Sequence, residues 1–154
     1  HYLSSKITYT FINEPICGNI ESKRIRTAFL EIQNQINNTI HFIEINQTAE
    51  IEINCSKKAV AGEKKGYLVF GNAAFITNGE LITKGKINFH NLKQNTRIPG
   101  CVNFPDVEIH EILHTFGIGH IENVKSIMLA DYHGCKYKID KEIIDYLIDI
   151  YKNI

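Results

Sequence analysis

The sequence predicts an α+β fold in one domain: a twisted, mixed and mostly parallel sheet of about five strands, an N-terminal backing helix, a second helix around residue 110 and a C-terminal helix. Three observations carry this expectation. Residues 6–55 read as strand, helix, strand and strand; two more strand-like segments lie between 66 and 91; and two apolar-periodic segments after residue 104 have helical spacing.

The first strand is "KITYTFI" (6–12), where polar residues alternate with β-branched and aromatic ones, and "NEPICGN" follows it with turn formers. From Ser22, "SKRIRTAFLEIQNQI" places Ile25, Phe29, Ile32 and Ile36 three or four apart, behind a serine suited to capping the first turn. "HFIEI" (41–45) and "EIEINC" (50–55) alternate again, and strand-helix-strand order implies parallel pairing with a right-handed crossover. "GYLVFGNAAFI" (66–76) and "GKINFHN" (85–91) are further strands, with "TNGELITK" between them. "NFPDVE" then opens a helix, "IHEILHTF", which Gly117 ends. In "KIDKEIIDYLIDIYKN" (138–153), Ile143, Leu147 and Ile150 form one apolar stripe of a closing helix.

Lys+Arg and Asp+Glu both number 17 in the 154 residues, so no net field points to nucleic acid, anionic membrane or a polyanionic substrate. No apolar run approaches the roughly 18 residues of a membrane span. Function is therefore expected from a local site. Met128 is the only methionine, and a removed upstream segment, whether tag, signal peptide or pro-segment, is expected. Cys17, Cys55, Cys101 and Cys135 are scattered, with no C-x-x-C pair, which reads as two disulfides in a secreted or extracytoplasmic protein.

That local site is "HEILHTFGIGH" (110–120), three of the chain's 7 histidines and a glutamate in one short stretch. On a helix His110 and His114 are one turn apart and leave the same face, so both can meet one metal ion. Gly117 can take a positive φ and swing the chain back so that His120 reaches the same point. Three neutral imidazoles suit zinc and leave one tetrahedral position open, the mark of a catalytic site. Glu111 is rotated about 100° from the ligands, beside the water such a metal would hold, and can take its proton. From the chain's residue frequencies, the full pattern has a chance occurrence on the order of one in ten thousand, too low for motif noise.

With these residues the sequence resembles the metzincin clan of zinc endopeptidases, whose signature H-E-x-x-H-x-x-G-x-x-H precedes a methionine-containing turn. "SIMLADY" (126–132) is similar to that turn. Within the clan the similarity is to matrixins, the matrix-metalloproteinase-like group: the spacing from His120 to Met128 and from Met128 to Tyr132 matches theirs, and so does the order of elements. The resemblance implies a zincin-like catalytic domain over 1–154, with an N-terminal subdomain (1–120) and a C-terminal one (121–154). It implies one zinc per chain, held by His110, His114 and His120, with Gly117 and Met128 structural at the site and Met128 an apolar floor that does not ligate. It implies hydrolysis of internal peptide bonds by a water that Glu111 activates. "VFGNAAF" (69–75) would be an edge strand above the cleft, with Gly71, Asn72, Ala73, Ala74 and Tyr132 binding a peptide or protein substrate by strand addition. A monomer is expected.

Departures bear on these expectations. Only His90 stands where animal matrixins build a second, structural zinc, so none is expected, and calcium is left open. Ala130 occupies the position usually held by proline. "EPICGN" is similar to the cysteine switch of matrixin pro-segments, but Cys17 follows the first strand, and a disulfide is expected instead. Parallel strands would bring Cys17 and Cys55 to one sheet edge, leaving Cys101 with Cys135 to flank the histidine helix; four cysteines admit three pairings, and the others remain open. Archaemetzincins share the histidine-to-methionine spacing but carry cysteines where this chain has Ile121 and Ser126. They are one alternative, and a catalytically idle metal-binding module is the other. His41, His90 and His133 lack ligand spacing and read as surface or hydrogen-bonded residues.

Overall fold

The computed structural model of the protein describes residues 1–58, 60–62, 68–90, 104–130, 138–152 and 154. In chain order the elements are β1 (Lys6–Phe11), α1 (Glu14–Gln35), β2 (His41–Glu44), β3 (Ile51–Cys55), β4 (Val60–Ala61), β5 (Leu68–Val69), β6 (Gly71–Asn78), β7 (Leu81–Phe89), α2 (Asp106–His114) and α3 (Lys141–Tyr151). Five strands form one sheet in the order β2-β1-β3-β7-β6. All its pairings are parallel except β6 with β7, so the sheet is mixed and mostly parallel, as the sequence pattern predicts.

Period-two alternation explains why one face of the sheet is covered. Along β3, Ile51, Ile53 and Cys55 are buried, while Glu52 and Asn54 between them are not. The intervening positions make polar cross-strand pairs: Lys84 with Glu52 at 2.7 Å, and the Asn54 amide donating to Asn88 Oδ1 at 3.1 Å. On the apolar side α1 packs against β2, β3 and α2, and α2 packs against β6. The four positions read from the sequence as the buried stripe of α1, Ile25, Phe29, Ile32 and Ile36, are all at most 2% exposed. An aromatic row joins the layers: Tyr9 stacks on Phe29 with centroids 4.0 Å apart, Phe29 meets Phe42 at 4.9 Å, and Phe42 meets Phe116 at 6.0 Å. Tyr2 and Tyr151 close on Phe116 at 5.3 and 6.1 Å, tying the end of α2 to both the N-terminal segment and α3.

The structure corrects four boundaries. Helix α1 begins at Glu14, not Ser22, because Pro15 fits a first helical turn, and the chain then kinks at Gly18 (φ 75°) before the long segment. Ser22 therefore lies inside the helix, buried, instead of capping it. "TNGELITK" is not a separator: β6 and β7 run through it to a hairpin turned at Gly79–Glu80. The strand expected over 66–76 breaks at Phe70, since Leu68 and Val69 pair with β4 while Gly71 onward joins β7. The last helix starts at Lys141 rather than 138.

Cys17, in the first turn of α1, is bonded to Cys55 at the end of β3, with Cα atoms 5.1 Å apart. This is the pairing that the parallel strands suggest. Cys101 and Cys135 lie outside the described residues. The bridge spans a sequence separation of 38. Chain-entropy loss from a loop of that length contributes roughly 4 kcal/mol to stability. Replacing Cys17 and Cys55 together by serine should lower Tm by on the order of 10 °C. Unchanged thermal melting of that variant would contradict the role given to the bridge.

Candidate active site and metal centre

Helix α2 buries Ile109, Ile112 and Leu113 against the core. With those side chains turned inward, His110 and His114 share the face one turn apart. The helix ends in a paired closure. Gly117 N–H donates to the His114 carbonyl at 3.0 Å and Ile118 N–H to the Leu113 carbonyl at 3.4 Å, which requires the φ of 80° that Gly117 adopts. This turn sends the chain back over its own helix, and His120 arrives beside the other two. His114 Nε2 lies 3.0 Å from His110 Nε2 and 3.2 Å from His120 Nε2. The three form a group able to hold a metal ion, their candidate ligand atoms all within 4.8 Å of one another.

Backbone carbonyls fix which nitrogen carries the proton. His110 Nδ1 faces the Ile127 carbonyl at 2.8 Å, and His114 Nδ1 faces the Ile118 carbonyl at 2.7 Å. A carbonyl only accepts, so each Nδ1 is the donor and each Nε2 presents a lone pair. Burial pushes the His110 imidazole down to about 4, with smaller contributions from His114 and His120, and burial lowers His114 as well. Both are held in the neutral, ligating form. Lone pairs this close repel unless a cation lies between them. Tetrahedral zinc at roughly 2.0–2.1 Å from each nitrogen sets ligand nitrogens about 3.3 Å apart, near the separations found here. The donor set fits the metal.

Glu111 points elsewhere. Its side chain is buried against β6, where a Cβ added at Gly71 would come 2.7–2.9 Å from its Cγ, Oε1 and Cδ. Gly71 is thus the residue type that lets the strand approach. Among the described residues, Glu111 Oε2 is buried without a hydrogen-bond partner. Burial, and then the charge of Glu108, push the carboxyl up to about 8. A buried acceptor with an open oxygen and a raised proton affinity is suited to taking a proton.

Met128 is fully buried, and its carbonyl accepts from Ile121 N–H at 2.9 Å. At the start of α2, Arg24 of α1 reaches across to Glu108, Nε to Oε1 at 3.0 Å and Nη2 to Oε2 at 3.2 Å, and to the Phe104 carbonyl at 2.9 Å. A family model described as Matrixin, of peptidase family M10, matches residues 1–152. The chain belongs to the matrixin family. Matrixins use zinc in peptide hydrolysis, and this matrixin brings together a histidine triad capable of binding a metal. No curated protein sequence matches the chain.

Of the residues singled out in the sequence of this matrixin, the structure joins His110, His114 and His120, with Gly117 in the turn between His114 and His120. Gly71, Asn72, Ala73 and Ala74 fall on β6, an edge strand paired only with β7 among the described residues. Asn72 Oδ1 contacts His90 Nε2 at 2.8 Å, the hydrogen-bonded state expected for His90. Tyr132 and His133 lie outside the described residues. Sequence reasoning missed Arg24 and Glu108, and the backbone carbonyls of Ile118 and Ile127, which leave no signal in residue type. Glu108 is wholly buried and Arg24 nearly so. Arg24→Met should remove the ion pair from the buried Glu108 carboxylate and cost about 3–5 kcal/mol in urea unfolding, while adding Glu108→Leu should recover most of it. Equal stability of Arg24→Met and wild type would remove this anchor from the account.

Proposed function

We propose that the protein is a zinc-dependent endopeptidase that hydrolyses internal peptide bonds, with one zinc per chain held by His110, His114 and His120 and with Glu111 as general base. The observation that carries the reading is the convergence of three imidazoles able to hold a metal ion, in the same helix and turn as a buried carboxyl whose Oε2 has no hydrogen-bond partner among the described residues. When bound, zinc supplies a Lewis acid that polarises the scissile carbonyl and makes water acidic near neutral pH. Glu111 accepts the proton of the attacking water at its open oxygen, and passes it to the amine nitrogen as the peptide bond breaks. Burial raises its basicity for the first transfer, and the protonated form is the acid for the second.

Substrate is held by β6. An extended peptide adds to the edge at Gly71, Asn72, Ala73 and Ala74, which pairs with β7 alone among the described residues, through main-chain hydrogen bonds, next to the helix that carries Glu111. The resemblance to matrixins adds Tyr132 to the substrate-binding residues, and residues 1–120 and 121–154 act as the two halves of the catalytic domain. Met128 supplies an apolar floor. The Cys17–Cys55 bridge and the family support a secreted or extracytoplasmic location, since disulfides persist in oxidising compartments. No helix among the described residues is long and apolar enough to cross a membrane, and the protein acts as a monomer on peptide or protein substrates.

Glu111→Gln should retain one zinc per chain by elemental analysis while peptide cleavage falls by roughly 10²- to 10⁴-fold. His120→Ala should instead lose zinc and melt at lower temperature, because metal binding is part of the folding free energy. A Gln variant that cleaves a peptide library near the parental rate, followed by mass spectrometry, would exclude Glu111 as the base. Gly71→Ala places a methyl group where the Glu111 side chain sits, at 2.7–2.9 Å. Displacing the carboxyl by that much should cost on the order of 10²-fold in kcat with zinc content unchanged. A Gly71→Ala variant as active as the parent would show that the strand need not approach so closely.

A further inference from the structure

Asp140 stands at the N-cap of α3 and makes no side-chain hydrogen bond to that helix. Its carboxylate turns the other way. Oδ2 accepts from Ser126 Oγ–H at 3.0 Å and from Ile127 N–H at 3.0 Å. Ser126 Oγ in turn accepts from Met128 N–H at 3.0 Å. Met128 N–H and the Ile127 carbonyl belong to one peptide unit, and that carbonyl accepts from His110 Nδ1–H at 2.8 Å. A continuous chain of hydrogen bonds therefore runs from the imidazole through the Ile127–Met128 peptide and the Ser126 hydroxyl to a carboxylate. Ser126 and Met128 are fully buried, so the inner links are shielded from water.

We propose that Asp140, acting through Ser126 and the Ile127–Met128 peptide, is a positioning residue that orients His110 and strengthens its Nε2 as a metal donor. The inference rests on His110 being a zinc ligand. A negative charge at the far end polarises each link in the same sense: the hydroxyl becomes a better acceptor, the peptide carbonyl more negative, and the Nδ1–H bond to it stronger. A stronger bond at Nδ1 makes Nε2 a better donor and removes the ring's freedom to rotate. The two bonds to Oδ2 also fix the turn, so the carbonyl cannot swing away from His110. His114 provides an internal comparison, because the Ile118 carbonyl that holds it belongs to the separate turn at Gly117.

The test uses the zinc-loaded protein and the variants Asp140→Asn, which keeps the size and an acceptor oxygen but removes the charge, and Ser126→Ala, which breaks the central link. Zinc affinity is read by chelator competition and the imidazole nitrogens by 15N NMR. Each variant should raise the zinc dissociation constant by about 10-fold or more. The His110 signals should shift while those of His114 stay. The double variant should fall short of the product of the two single effects, because both cut one chain. Ser126 is fully buried, so the isosteric Asp140→Asn carries the test alone if Ser126→Ala does not fold. Wild-type zinc affinity in Asp140→Asn, or equal shifts at His110 and His114, overturns the relay while leaving the zinc site intact. A wild-type protein that takes up no zinc at these histidines overturns the metal reading itself, and the relay with it.

Discussion

Three imidazoles whose candidate donor atoms lie within 4.8 Å of one another crowd each other, and much of the architecture reads as the means of holding them there. In the structure the crowding is 3.0 and 3.2 Å between nitrogens. No side chain could enforce it from one direction. Each of the two helical histidines is instead held from behind by a backbone carbonyl, and each carbonyl sits in a turn with its own closure. The Gly117 turn supplies one and brings in His120; the Ser126–Met128 turn supplies the other. Because carbonyls cannot donate, the same contacts that aim the rings also select the ligating tautomer.

Those turns need a rigid backing, and the core provides it from both sides. Phe116, at the end of α2, is the meeting point of the aromatic row from β1 through α1 and β2 and of Tyr2 and Tyr151. At the other end of the helix, Arg24 pins Glu108 and the Phe104 carbonyl. A nine-residue helix is too short to be stable alone. Anchored at both ends, it becomes a fixed bar on which His110, Glu111 and His114 keep their spacing. The pair at Glu108 has a second effect, since its charge adds to burial in raising the Glu111 carboxyl.

How much of this the sequence disclosed follows from what residue types can encode. Side-chain chemistry at fixed spacing was legible: the triad, its glycine turn, the buried methionine and the alternation of β3 all correspond to observed positions. Composition-based punctuation was less faithful. "NEPICGN" carries turn formers, yet Pro15 is equally at home in a first helical turn, so the helix begins eight residues before the serine that resembled its cap. "TNGELITK" carries one true turn, Gly79–Glu80, flanked by residues that pair only because β6 and β7 pair. Long-range partners left least trace. Nothing local marks Arg24 as the partner of Glu108, or Asp140 as the acceptor for Ser126 and Ile127 in the turn that holds His110.

Gly71 shows why the two parts of the proposed mechanism cannot be separated. The edge strand that would receive a peptide is the same strand whose backbone presses on Glu111, near enough that a single methyl group does not fit. Bringing strand and carboxyl together desolvates the carboxyl, which raises its affinity for a proton, and in the proposed mechanism it would also set a bound main chain alongside the group that exchanges protons with it. A carboxyl placed farther from β6 would be better hydrated, a weaker base and farther from the peptide nitrogen. In the proposed mechanism substrate placement and basicity would thus be two consequences of one close approach, made possible by the absence of a side chain at residue 71.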